Sequence, residues 1–248
     1  MRDISHAALL ITGVFLLFPL WVSHRHQLGI AKEIALSSLR GAVQLVLIGY
    51  VIGYIFSIES WLLLALFILA MIVIAGLTSA RRGKQYAHAF PIACAAILAA
   101  EAVSLAVWLT FHIIEPKAQY VLPMSGMIIG SSMTVASLTF ERMLSEFQLT
   151  KPLILAKLAL GASPRQACQE LMENTIKAAL IPNIESMKSL GLIHLPGMMT
   201  GAIIAGASPL IAVKYQLVIL LTAMSTAAIT AILVSFLAYR SFFRQKMF

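Results

Sequence analysis

The stretch AFPIACAAILAAEAVSLAVWLTFHII, residues 89–114, carries a single Asp, Glu, Lys or Arg, the carboxylate of Glu101. At ~1.5 Å of rise per residue, a helix of this length crosses the ~30 Å hydrocarbon layer of a bilayer. Working outward, comparable apolar runs lie at Ile4–Val22, Ile34–Phe56, Trp61–Ser79, Tyr120–Thr139, Pro196–Val213 and Tyr215–Tyr239. This pattern predicts an all-α, polytopic membrane protein of about seven transmembrane helices, forming one permease-sized domain over residues 1–248. Composition points the same way: 60% apolar residues, 11% charged and a mean hydropathy of +0.91 lie outside the balance of a soluble domain.

The net charge of +8 is a matter of topology. With the N-terminus outside, the cytoplasmic segments hold fourteen of the eighteen Lys and Arg residues; Arg2, Lys117 and Lys214 fall on the other side and Arg40 inside a span. The positive-inside rule therefore predicts an outer N-terminus and a cytoplasmic C-terminus, with the basic segments facing anionic lipid headgroups. Nucleic acid is not an expected partner. The first run is followed by Ser23, His24, Arg25 and His26, not a small-residue cleavage site, so it reads as a retained helix. Cys94 and Cys168 have no metal or redox spacing, and the six histidines are scattered. No dedicated metal cage is expected.

Residues 140–195 form the one long polar interval, predicted to be cytoplasmic. Within it, Gly161-Ala162-Ser163-Pro164-Arg165-Gln166 reads as a helix-to-helix corner: Ser163 as N-cap, Pro164 at the first helical position and Gln166 closing a capping box. Beyond the corner, Cys168, Leu171, Met172, Thr175, Ile176 and Ala179 fall on one helical face and Arg165, Gln169, Glu170, Glu173 and Lys177 largely on the other. Such a helix lies on the membrane surface or closes the floor of the bundle, docks a soluble partner, or does both.

Ala159 to Ala167 resembles the "LGAS" cytoplasmic loop of ABC-transporter permeases, although Leu155, Ala156 and Lys157 stand where importers carry glutamate-alanine-alanine. The blocks Arg40–Leu45, Pro123–Met133 and Leu195–Leu210, with Gly197-Met198-Met199-Thr200-Gly201 the distinctive part, resemble the FetB-type permeases over nearly the whole chain. That family includes the plant aluminium-sensitivity membrane subunits. The resemblance implies a homodimeric permease of the inner (plasma) membrane that exports a metal ion such as iron, or another solute such as a nucleotide sugar. ATP and magnesium would be bound by a separate ABC ATPase subunit docking at Gly161–Gln166. Consistent with a separate ATPase, no Gly-x-x-x-x-Gly-Lys-[Ser/Thr] occurs; Gly83-Lys84-Gln85 lacks both the first glycine and the hydroxyl.

Gly49 and Gly53, Gly126 and Gly130, and Gly197 and Gly201 form three Gly-x-x-x-Gly pairs, and Gly206 lies near the last; close packing within one subunit is expected, with a dimer seam the alternative. Glu101, near mid-span, needs a cavity, a partner or a proton. Arg40 and Gln44 share a helix face, and Arg40 either snorkels to the surface or joins Glu101 on a substrate route. Ser131, Met133, Thr134, Met198, Met199 and Thr200 complete the candidate route, the thioethers reading first as flexible packing in apolar helices and second as ligands for a soft metal. A proton-driven transporter working through Glu101 and a non-transporting scaffold are the rival functions.

Overall fold

The computed structural model describes residues 5, 11–58, 60–86, 88–191, 193 and 195–241. Its regular elements among those residues are helices, in two compact units, Met1–Ser60 and Trp61–Phe248.

In the first unit a 3-10 turn, Gly13–Leu16, leads into α1 (Leu17–Arg25) and α2 (Ala31–Ile58). The chain reverses between α1 and α2 where Leu28 N–H donates to the Ser23 carbonyl at 3.0 Å and Gly29 takes a φ of +72°, which a residue without Cβ adopts freely. The opening part of the predicted first span, residues 4 and 6–10, lies outside the described residues.

The second unit holds α3 (Trp61–Arg82), α4 (Ala89–Thr110), α5 (Ala118–Ala159), α6 (Pro164–Ala167), α7 (Gln169–Ser189), α8 (Gly197–Ile204) and α9 (Pro209–Ala238). Among the described residues five helices are long and apolar enough to span: Ala31–Gly53 within α2, then α3, α4, α5 and α9. α5 has 42 residues, about 63 Å, so roughly half of it projects beyond a ~30 Å layer.

Here the structure departs from the predicted division of the last apolar stretch. Pro196–Val213 is not one helix: α8 ends at Ile204, Gly206 turns left-handed at φ +99°, and α9 restarts at Pro209 behind Ser208. A proline at the first helical position loses nothing by lacking an N–H, so Pro209 starts α9 and carries it straight through Lys214. An average of hydropathy does not register either event. At eight residues α8 is about 12 Å long and too short to cross.

For α7 the sequence left open a helix on the membrane surface, one closing the floor of the bundle and one docking a partner; in the structure it runs antiparallel to α9. Leu171 and Met172 cluster with Val234 and Ala238; Ala179 clusters with Val135, Ala227 and Ala231; Asn183 Nδ2 donates to the Ala223 carbonyl at 3.5 Å.

Within the described chain, helices come closest at glycines outside the Gly-x-x-x-Gly pairs. Among the described residues, a methyl group added at Gly130, Gly197, Gly201 or Gly206 would meet no atom within 4 Å, and the same holds at Gly49 and Gly53 within their own unit; of the paired glycines in the second unit, Gly126 has a described neighbour there, Met71 Cε at 3.3 Å. Close approach occurs at Gly76, where a Cβ would overlap Cys94 Sγ, and at Gly83, where it would lie 2.9 Å from the Phe140 ring. Around Gly83, the Tyr86 ring packs tilted against Phe140 with centroids 5.3 Å apart, and its hydroxyl donates to the Phe140 carbonyl at 2.9 Å. Burial holds the Tyr86 phenol well above its ordinary range, so it serves as a neutral donor. One turn earlier, Ser79 Oγ donates to the Met133 carbonyl at 3.0 Å, fixing α3 against α5.

Candidate functional site

Three places in the second unit carry chemistry. The first is the corner between α5 and α7. Leu160 ends α5 with 89% of its surface exposed, and Gly161 takes φ +90°, the left-handed turn that closes a helix with least strain on glycine. The capping box is formed: Ser163 Oγ accepts from Gln166 N–H at 3.4 Å, and Gln166 Oε1 accepts from Ser163 N–H at 2.9 Å. Ala162 and Pro164 complete the turn, and the Arg165 guanidinium sits 5.2 Å over the Phe236 ring of α9. A cation over an aromatic face contributes about 0.5–1 kcal/mol at an exposed site, so the corner is tied to a spanning helix. Ser163→Ala removes the cap and should lower stability by about 1 kcal/mol. In detergent that corresponds to a fall of ~2–4 °C in the unfolding midpoint of a chain this size; an unchanged midpoint would mean that the cap is dispensable.

The second place is a cleft of ≈180 Å³ where α5, α7 and α9 meet, lined by Ser131, Asn183, Ser186, Met187, Leu220, Ala223 and Met224. Its polar groups are two hydroxyls and one amide, with two thioethers beside them. The third is Glu101 on α4, 2% exposed, whose two carboxyl oxygens have no hydrogen-bond partner among the described residues. Ser125 Oγ on α5 faces that carboxyl, but the pair falls short of hydrogen-bond geometry.

Of the other sequence candidates, Met133 is half-buried and gives its carbonyl to Ser79 and Ser137. The Thr134 and Thr200 hydroxyls donate back into their own helices, to Gly130 at 3.1 Å and Pro196 at 2.9 Å. Met198 and Met199 are half-buried on α8, while Arg40 and Gln44 are exposed on α2 of the first unit. Only Ser131 enters the cleft.

The chain matches the family described as "Uncharacterised protein family (UPF0014)" over residues 6–243. It belongs to the UPF0014 family. The chain is 39% identical over 239 residues to the UPF0014 membrane protein YjkA of Bacillus subtilis, covering 96% of each. It is 36% identical over 249 residues to the "Probable iron export permease protein FetB" of Escherichia coli, covering 99% of this chain and 95% of that one. It is 34% identical over 224 residues to the UPF0014 membrane protein STAR2 of Oryza sativa, covering 90% and 78%. No solved structure matches the chain. This UPF0014 member is accordingly a membrane protein, and the cleft is a feature of its helical bundle. Asn183, Ser186 and Met187 escape a reading of the sequence because they belong to the polar interval. Pro182-Asn183, interrupting an otherwise helical pattern, is the local mark they leave.

Proposed function

We propose that this chain is the membrane-spanning subunit of an ATP-driven exporter of the plasma membrane, working as a homodimer with two copies of a separate ABC ATPase. The exposed corner at Gly161–Gln166 carries this reading. It is capped at both ends of the turn and joined through Arg165 to Phe236, so a push on it reaches α5, α7 and α9 together. A soluble partner needs a firm, protruding element of this kind to move a bundle. ATP and magnesium would be held by that partner, and this chain would supply only the route and the lever. Closure of two ATPases would swing the corners and switch a central cavity between inner and outer access. Metal-ion export, with iron as cargo, comes from the name borne by the Escherichia coli relative. Among the described residues no three His, Cys, Asp or Glu side chains converge, so a cation would be passed along by hydroxyl, amide and thioether groups and by Glu101.

Co-purification with candidate soluble ATPases tests the reading. Gly161→Val, which forces a β-branched residue to a positive φ, and Arg165→Glu should each abolish association while leaving a monodisperse permease. Transport at full rate by the lone chain in liposomes without ATP would favour a proton-driven transporter instead.

A further inference from the structure

We infer that α7 crosses the membrane as a polar helix and that its exposed face lines a water-filled route. Chain direction carries the crossing. α5 and α9 run the same way: Tyr120 near the start of α5 stacks on Tyr215 near the start of α9 at 6.0 Å, Val135 clusters with Ala227 and Ala231, and Phe140 and Phe147 cluster with Val234 and Ala238. Two spanning helices entering from the same side need a return between them. α8 is about 12 Å long and cannot make it, whereas the 21 residues of α7 extend about 31 Å.

The packing register gives the depth. α9 is free of Asp, Glu, Lys and Arg from Leu217 to Ala238, the part that suits hydrocarbon. α7 accompanies it from Ala238, beside Leu171 and Met172, to Leu220, which shares the cleft with Met187. That interval is about 27 Å of a ~30 Å layer. Hydropathy misses this crossing because Glu170, Glu173, Lys177, Glu185 and Lys188 are spread along the helix.

Exposure carries the water. α7 buries Leu171, Thr175 and Ala179 and exposes Glu173 and Lys177. Lys177 is two residues from Ala179, which packs against Ala227 and Ala231 well inside the uncharged stretch. It lies about 12 Å along the helix from Gln169, further than its four-carbon stem reaches, and has no ion-pair partner among the described residues. Charged side chains at such depth face a protein-lined aqueous cavity and not lipid tails. The crossing stands on packing alone; that the lined route carries the exported solute rests on the permease reading above.

Cysteine accessibility in the full-length chain tests both halves. In a Cys94→Ala, Cys168→Ala background, single cysteines are placed by Gln169→Cys, Lys177→Cys and Lys188→Cys, with Glu185→Cys as a second marker of the far end. Leu221→Cys, on an exposed apolar position of α9, gives the lipid-level baseline. A membrane-impermeant maleimide is applied to intact cells and to inverted vesicles. Gln169→Cys should label from one side only, Lys188→Cys and Glu185→Cys only from the other, and Lys177→Cys well above the Leu221→Cys baseline. Labelling of both ends from the same side would overturn the crossing, and an unreactive Lys177→Cys would overturn the water-filled route. Failure to recruit an ATPase would count against the exporter reading while leaving this labelling pattern unchanged.

Discussion

Gly76→Leu is expected to abolish recovery of folded, monodisperse protein from detergent extracts, whereas Gly76→Ala should cost about 1–3 kcal/mol, the usual price of overpacking. A methyl group at residue 76 collides with Cys94 Sγ, while the Cys94 backbone N and Cα stand at 3.4 and 3.5 Å, ordinary contact distances. The obstacle to alanine is therefore one sulfur atom, and Cys94→Ala should restore most of the loss in the double mutant, a coupling that only neighbours in contact show. Leucine extends past the sulfur into the α4 backbone, so Cys94→Ala should not rescue it. Gly130→Ala, which meets nothing within 4 Å, should change the unfolding midpoint negligibly. The reverse order, with Gly130 sensitive and Gly76 tolerant, would place the subunit's tight seam at the Gly-x-x-x-Gly pair and refute the α3–α4 contact.

Glu101→Gln is expected to leave stability unchanged or raise it, yet to reduce transport at least about tenfold, or ~1.4 kcal/mol of barrier. The carboxyl is 2% exposed and receives no hydrogen bond from a described residue, with only the Ser125 hydroxyl facing it, so little among the described residues offsets the cost of an ionised oxygen there. A neutral amide of the same shape removes that cost and, with it, any ability to take up a cation or a proton. Glu101→Lys, of larger volume and with a charge that no neighbouring carboxylate meets, should fold poorly, since a lysine at mid-span costs about 2.5–3.5 kcal/mol. Two measurements decide: the unfolding midpoint in detergent and solute flux in vesicles containing the full transporter. Wild-type flux by Glu101→Gln would reduce Glu101 to a packing residue, and a large drop in its midpoint would reveal a partner for the carboxylate.

Much of the bundle was legible because a bilayer imposes length and polarity on each span separately. The runs at Ala89–Ile114 and Trp61–Ser79 became α4 and α3 almost as read, and the Ser163–Gln166 cap formed as its spacing required, since both signals are local. The cleft was not legible in the same way. Ser131 was a candidate for lying in a late span, but Asn183 and Ser186 sat in an interval whose charge placed it outside the membrane. The glycine pairs illustrate the same limit: spacing marks a bare helix face without saying whether a neighbour arrives, and at Gly76 one arrives with no motif to announce it.

By itself, then, the sequence determined that this chain is a helical membrane protein with a capped corner beside its long polar stretch, because hydropathy, charge asymmetry and capping depend on residues within a few turns of one another. Only the tertiary structure decided that Pro209 starts the last helix, that Gly76 and Gly83 are the tight contacts, and that polar α7 lies alongside α9. A polar helix is costly in lipid but not against protein and water, and which of these surrounds it is fixed by residues far away in the chain.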